Sequence, residues 1–378
     1  MLSLFARKLQ GIIGRPLDRT YRNIVNRNLL PDCPINSRDI AAAADIFGPD
    51  IGSLKGKTAV RRTIPHVADR MVDVPLRIMR LYRAVTLAGD IMFVNKIPFF
   101  VTTSHRIQFS TAEVIMNQKS KTLTQAVLQV KRIYAQRGFI VTEVAMDGQF
   151  EPIRGDLTDI QVGLNTAGHD DHVPEIERHI RVVKERGHAI YNTVPFNRFN
   201  ARMIIEMIYN CNFWLNSFPY PDGVSEELSP CTIITGHAID FRRHCRIKYG
   251  AHAQVNEEHN NSMASHTTGA LAMCPTGNPQ GSYYFFSLST GRLLTRTRWT
   301  ELPVPADVIQ RVHHLARCNR RGLEFLDRNR EPILLDDEQP DDPDGDDNDS
   351  TFAPDADDKT SSSRRTRHIN IRYFFITD

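Results

Sequence analysis

"AVTLAGDIMFVNKIPFFVTTSHRIQFSTAEVI", residues 84–115, decides the fold. Its runs AVTLAGDIMFV, IPFFVTT and RIQFSTAEVI are rich in β-branched and aromatic residues, and the polar pairs NK and SH separate them. This is the pattern of three consecutive antiparallel strands. Asp90 interrupts the first run, where an unpaired carboxylate would be costly to bury, so it is marked for a role other than packing.

Downstream, SKTLTQAVLQVKRIYAQRG places Leu123, Ala126, Val127, Val130, Ile133 and Tyr134 at helical spacing, with Gly138 as the stop. FIVTEVAM then reads as a buried strand ending at Asp147, followed by a short helix around residues 150–160 and a short strand, IQVGL. Three strands, a helix and a strand form an α/β order in which the fourth strand joins the sheet in parallel. Asp147 precedes Gly148 at the end of that strand, where open α/β sheets place ligands. In HDDHVPEIERHIRVVKERGHA, residues 169–189, Pro174 suits a first turn, and Ile176, Ile180 and Val183 give a helix to about Ala189 an apolar face. ARMIIEMIYNCNFWLNSF makes a second core helix through Ile204, Met207, Ile208, Cys211, Trp214 and Phe218.

Beyond residue 245 the pattern is strands only: YGAHAQV, TTGALAMC, SYYFFSL and RLLTRTRW. The division expected is an irregular, partly helical lead-in over 1–80, an α/β core over 81–240, a small β-barrel over 241–305, a helical or irregular extension over 306–335 and a disordered acidic tail over 336–378.

The 378 residues carry a net charge of only +3, but residues 331–378 hold 14 acids against 5 bases. Residues 1–330 therefore carry 42 Lys and Arg against 30 Asp and Glu, a basic body whose expected partner is nucleic acid. The six cysteines (Cys33, Cys211, Cys231, Cys245, Cys274, Cys318) form no C-x-x-C pair and read as reduced intracellular thiols. No apolar run approaches the roughly 18 residues of a membrane helix, and MLSLFARKLQGIIG lacks a signal-peptide cleavage pattern, so a soluble protein with no membrane partner is expected.

Two carboxylates at the ends of adjacent strands, with a third from a helix across them, can hold a pair of Mg²⁺ or Mn²⁺ ions for in-line phosphoryl transfer. Each acid alone also fits a turn or helix cap. In the charged helix, Asp170 and Asp171 belong to the lead-in, and Glu175 suits the first turn through the helix dipole alone.

The order of elements, Asp90 in AGDIMFV, Asp147 in MDGQFEP and Glu177 in VPEIERHIRVVKE resemble the catalytic core of retroviral and retrotransposon integrases over about residues 81–220. In copia-type elements the second Asp opens a D-N-G-G-E-F-like segment and the Glu an E-R-x-N-R-x-like helix; here they are D-G-Q-F and E-R-H-I-R. GALAMCPTGNPQGSYYFFSLSTGRLLTRTRWTELP is similar to the copia-type region after the core, extending the resemblance to about residue 305. The resemblance implies a ribonuclease H-like mixed sheet flanked by helices, then an SH3-like barrel. It also implies that Asp90, Asp147 and Glu177 are the catalytic residues and hold two Mg²⁺ or Mn²⁺ ions. The implied activity is DNA 3′-end processing and strand transfer that inserts element DNA into target DNA. A homo-oligomer is implied too, working in the nucleus or carried in a cytoplasmic virus-like particle before import. The acidic, Ser-rich tail fits the spacer ahead of a reverse transcriptase in such polyproteins.

Two differences from the family stand out. Asp147 and Glu177 are separated by 29 residues, somewhat fewer than usual, and Gln149 replaces a typical acid or Gly-Glu pair. Residues 1–80 contain one cysteine, Cys33, and one histidine, His66, which cannot make the family's tetrahedral zinc module, so no zinc is expected.

Arg181, Lys184 and His188 stand at i+4, i+7 and i+11 from Glu177 and form a basic stripe suited to a DNA backbone; Arg178, next to Glu177, is a further expected DNA contact. The same spacing fits helix-stabilising pairs of Glu177 and Glu185 with Arg181. FRRHCRIK, residues 241–248, offers Arg242 and Arg243 either to DNA or to solvent; His244 and Cys245 lack companion zinc ligands. GSLKGKT approaches a phosphate loop, but Ile51 stands where glycine is required, so a basic loop is expected. SSSRRTRH near the C-terminus matches a nuclear-import patch. Two other functions share these features: a catalytically inactive, element-derived DNA-binding protein, and a ribonuclease H-like nuclease that cuts without joining.

Overall fold

The structure, a computed structural model, describes residues 2–56, 71–167, 173–221, 223–257, 265–316 and 325–326. The acidic tail and SSSRRTRH lie outside these residues, as do His66, Asp170, Asp171 and Cys318.

Among the described residues, five helices precede the first strand: α1 (Leu2–Ile12), α2 (Asp18–Asn26), α3 (Ser37–Phe47), α4 (Ile51–Lys55) and α5 (Leu76–Tyr82). α1, α2 and α3 close on a small core of Ala6, Tyr21, Ile35, Ile40 and Ala43, and the Tyr21 hydroxyl donates to Ala6 O. The lead-in is thus more regular than expected. Part of the expected basic loop is helical instead: the Asp50 carboxylate accepts from Ser53 N at 2.7 Å and caps α4.

β1 (Ala84–Val94) and β2 (Ile97–Ser104) form the expected hairpin, with Asn95 and Lys96 both left-handed, as a two-residue turn matched to strand twist requires. β3 (Ser110–Val114) pairs antiparallel with β2, its start delayed by the turn through His105 and Arg106. α6 (Ser120–Ala135) buries all six apolar residues read from its spacing, and Gly138 takes φ +80°. β4 (Ile140–Asp147) then joins β1 in parallel.

After a 3₁₀ segment (Gly148–Ile153) and α7 (Arg154–Asp159), β5 (Gly163–Ala167) adds to β4 in parallel, giving the order β3-β2-β1-β4-β5. β5 starts three residues later than IQVGL suggests. Ile160 N–H bonds back to Leu157 O and Gln161 takes φ +57°, so those residues finish the helix.

The sheet is mixed, and helices cover both faces. Val85, Leu87, Ile91, Val144 and Met146 pack with α6, whereas Ala88, Met92 and Val94 pack with α8 (Pro174–Thr193) and α9 (Ala201–Asn216). α8 runs four residues past the expected end. In α9 the expected core ends early: Trp214 is half-buried, and Phe218, beyond the helix, is exposed. The helix stops at Asn216, where the Ser217 hydroxyl takes Phe213 O, and Phe218 stacks on Trp214 at 6.1 Å.

α10 (Pro230–Thr235) and α11 (Phe241–His244) lead to five antiparallel strands: β6 (His252–Asn256), β7 (Thr267–Pro275), β8 (Tyr283–Ser287), β9 (Leu293–Arg296) and β10 (Trp299–Glu301). They pair in the order β10-β6-β7-β8-β9, with RLLTRTRW divided between β9 and β10. Leu271, Met273 and Phe286 join the α9 cluster with Val308 and Val312 of α12 (Ala306–Leu315). Ala253, Val255, Ala270, Ala272, Tyr283 and Phe285 form a second cluster, against which Trp299 packs. β11 (Phe325–Leu326) returns to the first sheet, opposite Val94 and Phe93. Among the described residues no helix is long and apolar enough to cross a membrane.

Candidate metal and nucleic-acid site

The register of β1 and β4 carries the geometry. Ala88 stands opposite Ala145 at the last paired position, and Asp90 and Asp147 each lie two residues further along their strands. Because Val144 and Met146 face α6, the alternation turns Asp147 to the opposite face, and Ala88 and Met92 place Asp90 on that same face. The two carboxylates therefore stand on one face of the sheet, just past the point where β1 and β4 stop pairing.

Asp147 is buried at 9% exposure and Asp90 half-buried; Asp90 Oδ1 accepts from Ile91 N at 2.7 Å. The sheet opens at this point. β4 is registered to β1 only as far as Ala88, and β11 takes up that edge from Phe93. Asp90 sits between the two pairings.

α8 lies over this face against β1 and β2, and Glu177 is in its first turn, exposed. Asp90 and Asp147 thus share one sheet face, and Glu177 lies on the helix that covers it. Among the described residues, however, no three His, Cys, Asp or Glu side chains are gathered closely enough to hold a metal ion. The two strand aspartates suit a hard cation by chemistry and by register. Glu177 belongs to the covering helix, directly after residues 168–172, which are outside the described set.

The basic stripe divides on inspection. Arg178 and Arg181 are exposed and His188 is half-buried, but Lys184 is only 4% exposed, on the core side of the helix with Ile180 and Val183. This corrects the expectation of Lys184 as a solvent-facing phosphate contact. A residue seven positions from Glu177 also follows Val183, and the packing of α8 on β1 turns it inward.

Glu175 has a role beyond the helix dipole: its Oε2 lies 3.0 Å from His105 Nδ1, tying the start of α8 to the β2–β3 turn. Beside this pair is a groove of about 720 Å³ whose walls include Arg106, Gln108, Arg178 and His179. His179 is buried against Asn212, its Nε2 3.3 Å from Asn212 Oδ1, and burial pushes its pKa down to about 4. Neither His105 nor His179 was singled out in the sequence, because both contacts join segments far apart in the chain.

In the second basic segment, Arg242 is exposed. Arg243, expected beside it as a DNA contact, donates to Pro279 O at 3.0 Å and lies 3.5 Å from Asp240 Oδ2. His244 is buried: Nδ1 accepts from Asp240 N at 2.9 Å and Nε2 reaches Asn278 O at 3.0 Å, which sets the proton on Nε2. These bonds give Arg243 and His244 structural work, independent of any ligand.

No protein-family model matches the chain, and no curated protein does. Solved structures similar to part of it are integrase catalytic cores. The HTLV-2 integrase core in complex with magnesium, in its trimeric form, is 14% identical, with 39% of this chain and 95% of that one covered at a TM-score of 0.29. The dimeric form of the same core gives 14% identity, 39% and 94% coverage and a TM-score of 0.30. The BIV integrase core gives 16%, 39% and 92%, and 0.29.

Proposed function

We propose that this chain is a retrotransposon-type integrase: a polynucleotidyl transferase that trims the 3′ ends of element DNA and joins them to target DNA. The observation that carries the reading is the end of the β1–β4 register at Ala88 and Ala145, from which strand alternation turns both Asp90 and Asp147 to the sheet face covered by α8. Asp90, Asp147 and Glu177 would hold two Mg²⁺ or Mn²⁺ ions. When bound, such ions supply the positive charge that stabilises the attacking and leaving oxygens of a phosphodiester in line.

The chain's own residues do the rest. The strand carboxylates would fix where the charge is held. Arg178 and Arg181, exposed on α8, would grip phosphates on either side of the scissile bond. Arg242 would extend that contact from the linker. Because two DNA ends have to be joined together, the working form is a homo-oligomer, acting in the nucleus after delivery in a virus-like particle. An SH3-like closure of the second sheet belongs to the same reading.

The test is a strand-transfer assay with Mg²⁺ on the purified chain and its Asp147→Asn and Glu177→Gln variants. We expect joined product from the parent and a loss of at least about a hundredfold in both variants. Activity that survives Glu177→Gln would sink the assignment of the third ligand. DNA binding without chemistry would make the chain a catalytically inactive element-derived binder, and cleavage without joining would make it a ribonuclease H-like nuclease.

A further inference from the structure

A second groove, of about 750 Å³, lies between the C-terminal half of α8, α9 and residues 245–249. Its floor is apolar, from Ile190, Cys211, Trp214 and Tyr249, and its rim is cationic, from Arg186, Arg246 and Lys248, with Glu301 the one acid lining it. Arg186 and Lys248 are exposed, and Arg246 is held in place by Thr297 O at 3.1 Å and by the Trp299 ring, 3.9 Å from its guanidinium carbon. The field of Arg186 reaches the floor. Burial pushes the Cys211 thiol up to about 12, and Arg186 pulls it down.

Such a groove selects an acidic peptide that carries one large apolar side chain. This chain contains one. Residues 336–358 hold twelve Asp and Glu with no Lys or Arg, and Phe352 is the one aromatic residue between positions 327 and 372. The acids Asp347, Asp349, Asp355 and Asp357 flank it on both sides.

The tether is adequate. β11 fixes Leu326 on the first sheet, and 26 residues can span up to roughly 90 Å to Phe352. A segment tethered to the body by a linker of this length would meet its groove at an effective concentration on the order of millimolar.

We propose that the groove is the docking site of the chain's own acidic segment. Phe352 sits on Trp214 and Ile190, and the flanking aspartates face Arg186, Arg246 and Lys248. This is independent of any catalytic role for Asp90, Asp147 and Glu177. The docked segment screens three cations that a nucleic-acid backbone would otherwise meet, so it acts as a polyanion supplied in cis.

Cys245, exposed on the groove wall, makes this testable in the full chain. Ser350→Cys puts a second thiol two residues from Phe352. Under mild oxidation and peptide mapping, we expect a disulfide between position 350 and Cys245 within one chain as the main new cross-link. It should fall at least fivefold with Phe352→Asp and with Arg186→Glu plus Lys248→Glu. An unchanged urea-denaturation midpoint of Phe352→Asp checks that the body stays intact. The proposal is overturned by cross-linking to Cys33 or Cys318 as readily as to Cys245, by cross-links between chains, by none at all, or by indifference to Phe352→Asp. It also falls if short duplex DNA shields Cys245 from alkylation equally with and without Phe352→Asp, which would assign the groove to nucleic acid.

Discussion

Two basic segments, α8 and residues 240–249, look alike in composition, and the structure uses them differently. On α8 the arginines at 178, 181 and 186 stay exposed, while Lys184 is buried along with the helix's apolar side. In the second segment Arg243 and His244 are bound to backbone carbonyls of Pro279 and Asn278. Charge in a sequence therefore counts cations without saying which of them are available. A helix can separate its cations by face, whereas an irregular segment has to spend some of them on its own backbone.

The comparison breaks most visibly at His244. Alanine there leaves Asp240 N–H and Asn278 C=O without their buried partner and opens a cavity, so a loss of about 4 kcal/mol is expected in urea denaturation. A loss under about 1 kcal/mol would mean that residues 240–249 are as loosely held as an exposed helix face.

His179 supplies the matching test on α8. Burial, and to a lesser extent the charge of Arg186, hold its pKa near 4, while the unfolded chain binds a proton near 6.5. Between those values the unfolded state carries the extra proton, so stability falls as pH drops from about 6.5 to about 4 and then levels off. The shift corresponds to about 3 kcal/mol. Denaturation midpoints at pH 7 and pH 4.5 should converge in His179→Gln relative to the parent; an unchanged pH dependence would show that His179 takes up its proton in the folded protein as readily as in the unfolded chain.

These outcomes also mark what the sequence could and could not say. The hairpin, the spacing of α6, Asp90 inside a strand and Asp147 at the end of the next one were legible, because each follows from local alternation or periodicity. The parallel placement of β4 followed from element order. The inward turn of Lys184, the His105–Glu175 contact and the bonds of His244 were not legible. Each depends on a partner tens of residues away or on how a helix is rotated on its sheet. Phe218 was misread for a local reason: α9 ends at Asn216, two residues before the helical pattern that placed Phe218 in the core.

Nucleic-acid binding sharpens the contrast at a smaller scale. Arg178→Ala and Arg181→Ala should each weaken duplex DNA binding about tenfold and reduce the slope of log affinity against log salt by about one. Neither should move stability by more than about 0.5 kcal/mol. Arg242→Ala should behave in the same way. Arg243→Ala should instead cost about 1 kcal/mol of stability through its bond to Pro279 O and leave the salt slope unchanged. A salt slope that responds to Arg243 as strongly as to Arg181 would erase the distinction between the segments.

The smallest effect is expected where α8 begins. The His105–Glu175 contact joins side chains that are 57% and 31% exposed, so solvent screens it and its worth lies below about 1 kcal/mol. Glu175→Ala should therefore hardly change the global unfolding midpoint. It should act locally: amide exchange in the second turn of α8 should rise by up to about fivefold, because the start of the helix loses its tie to the β2–β3 turn. Exchange across residues 240–249 should not respond, since buried backbone bonds hold that segment. The size of the local response matters for the site, because Glu177 lies two residues beyond Glu175 and shares its turn. Should amides of both segments respond together, α8 and the linker would be one cooperative unit, and Glu177 would be held by the body of the protein instead of by the first turn of its own helix.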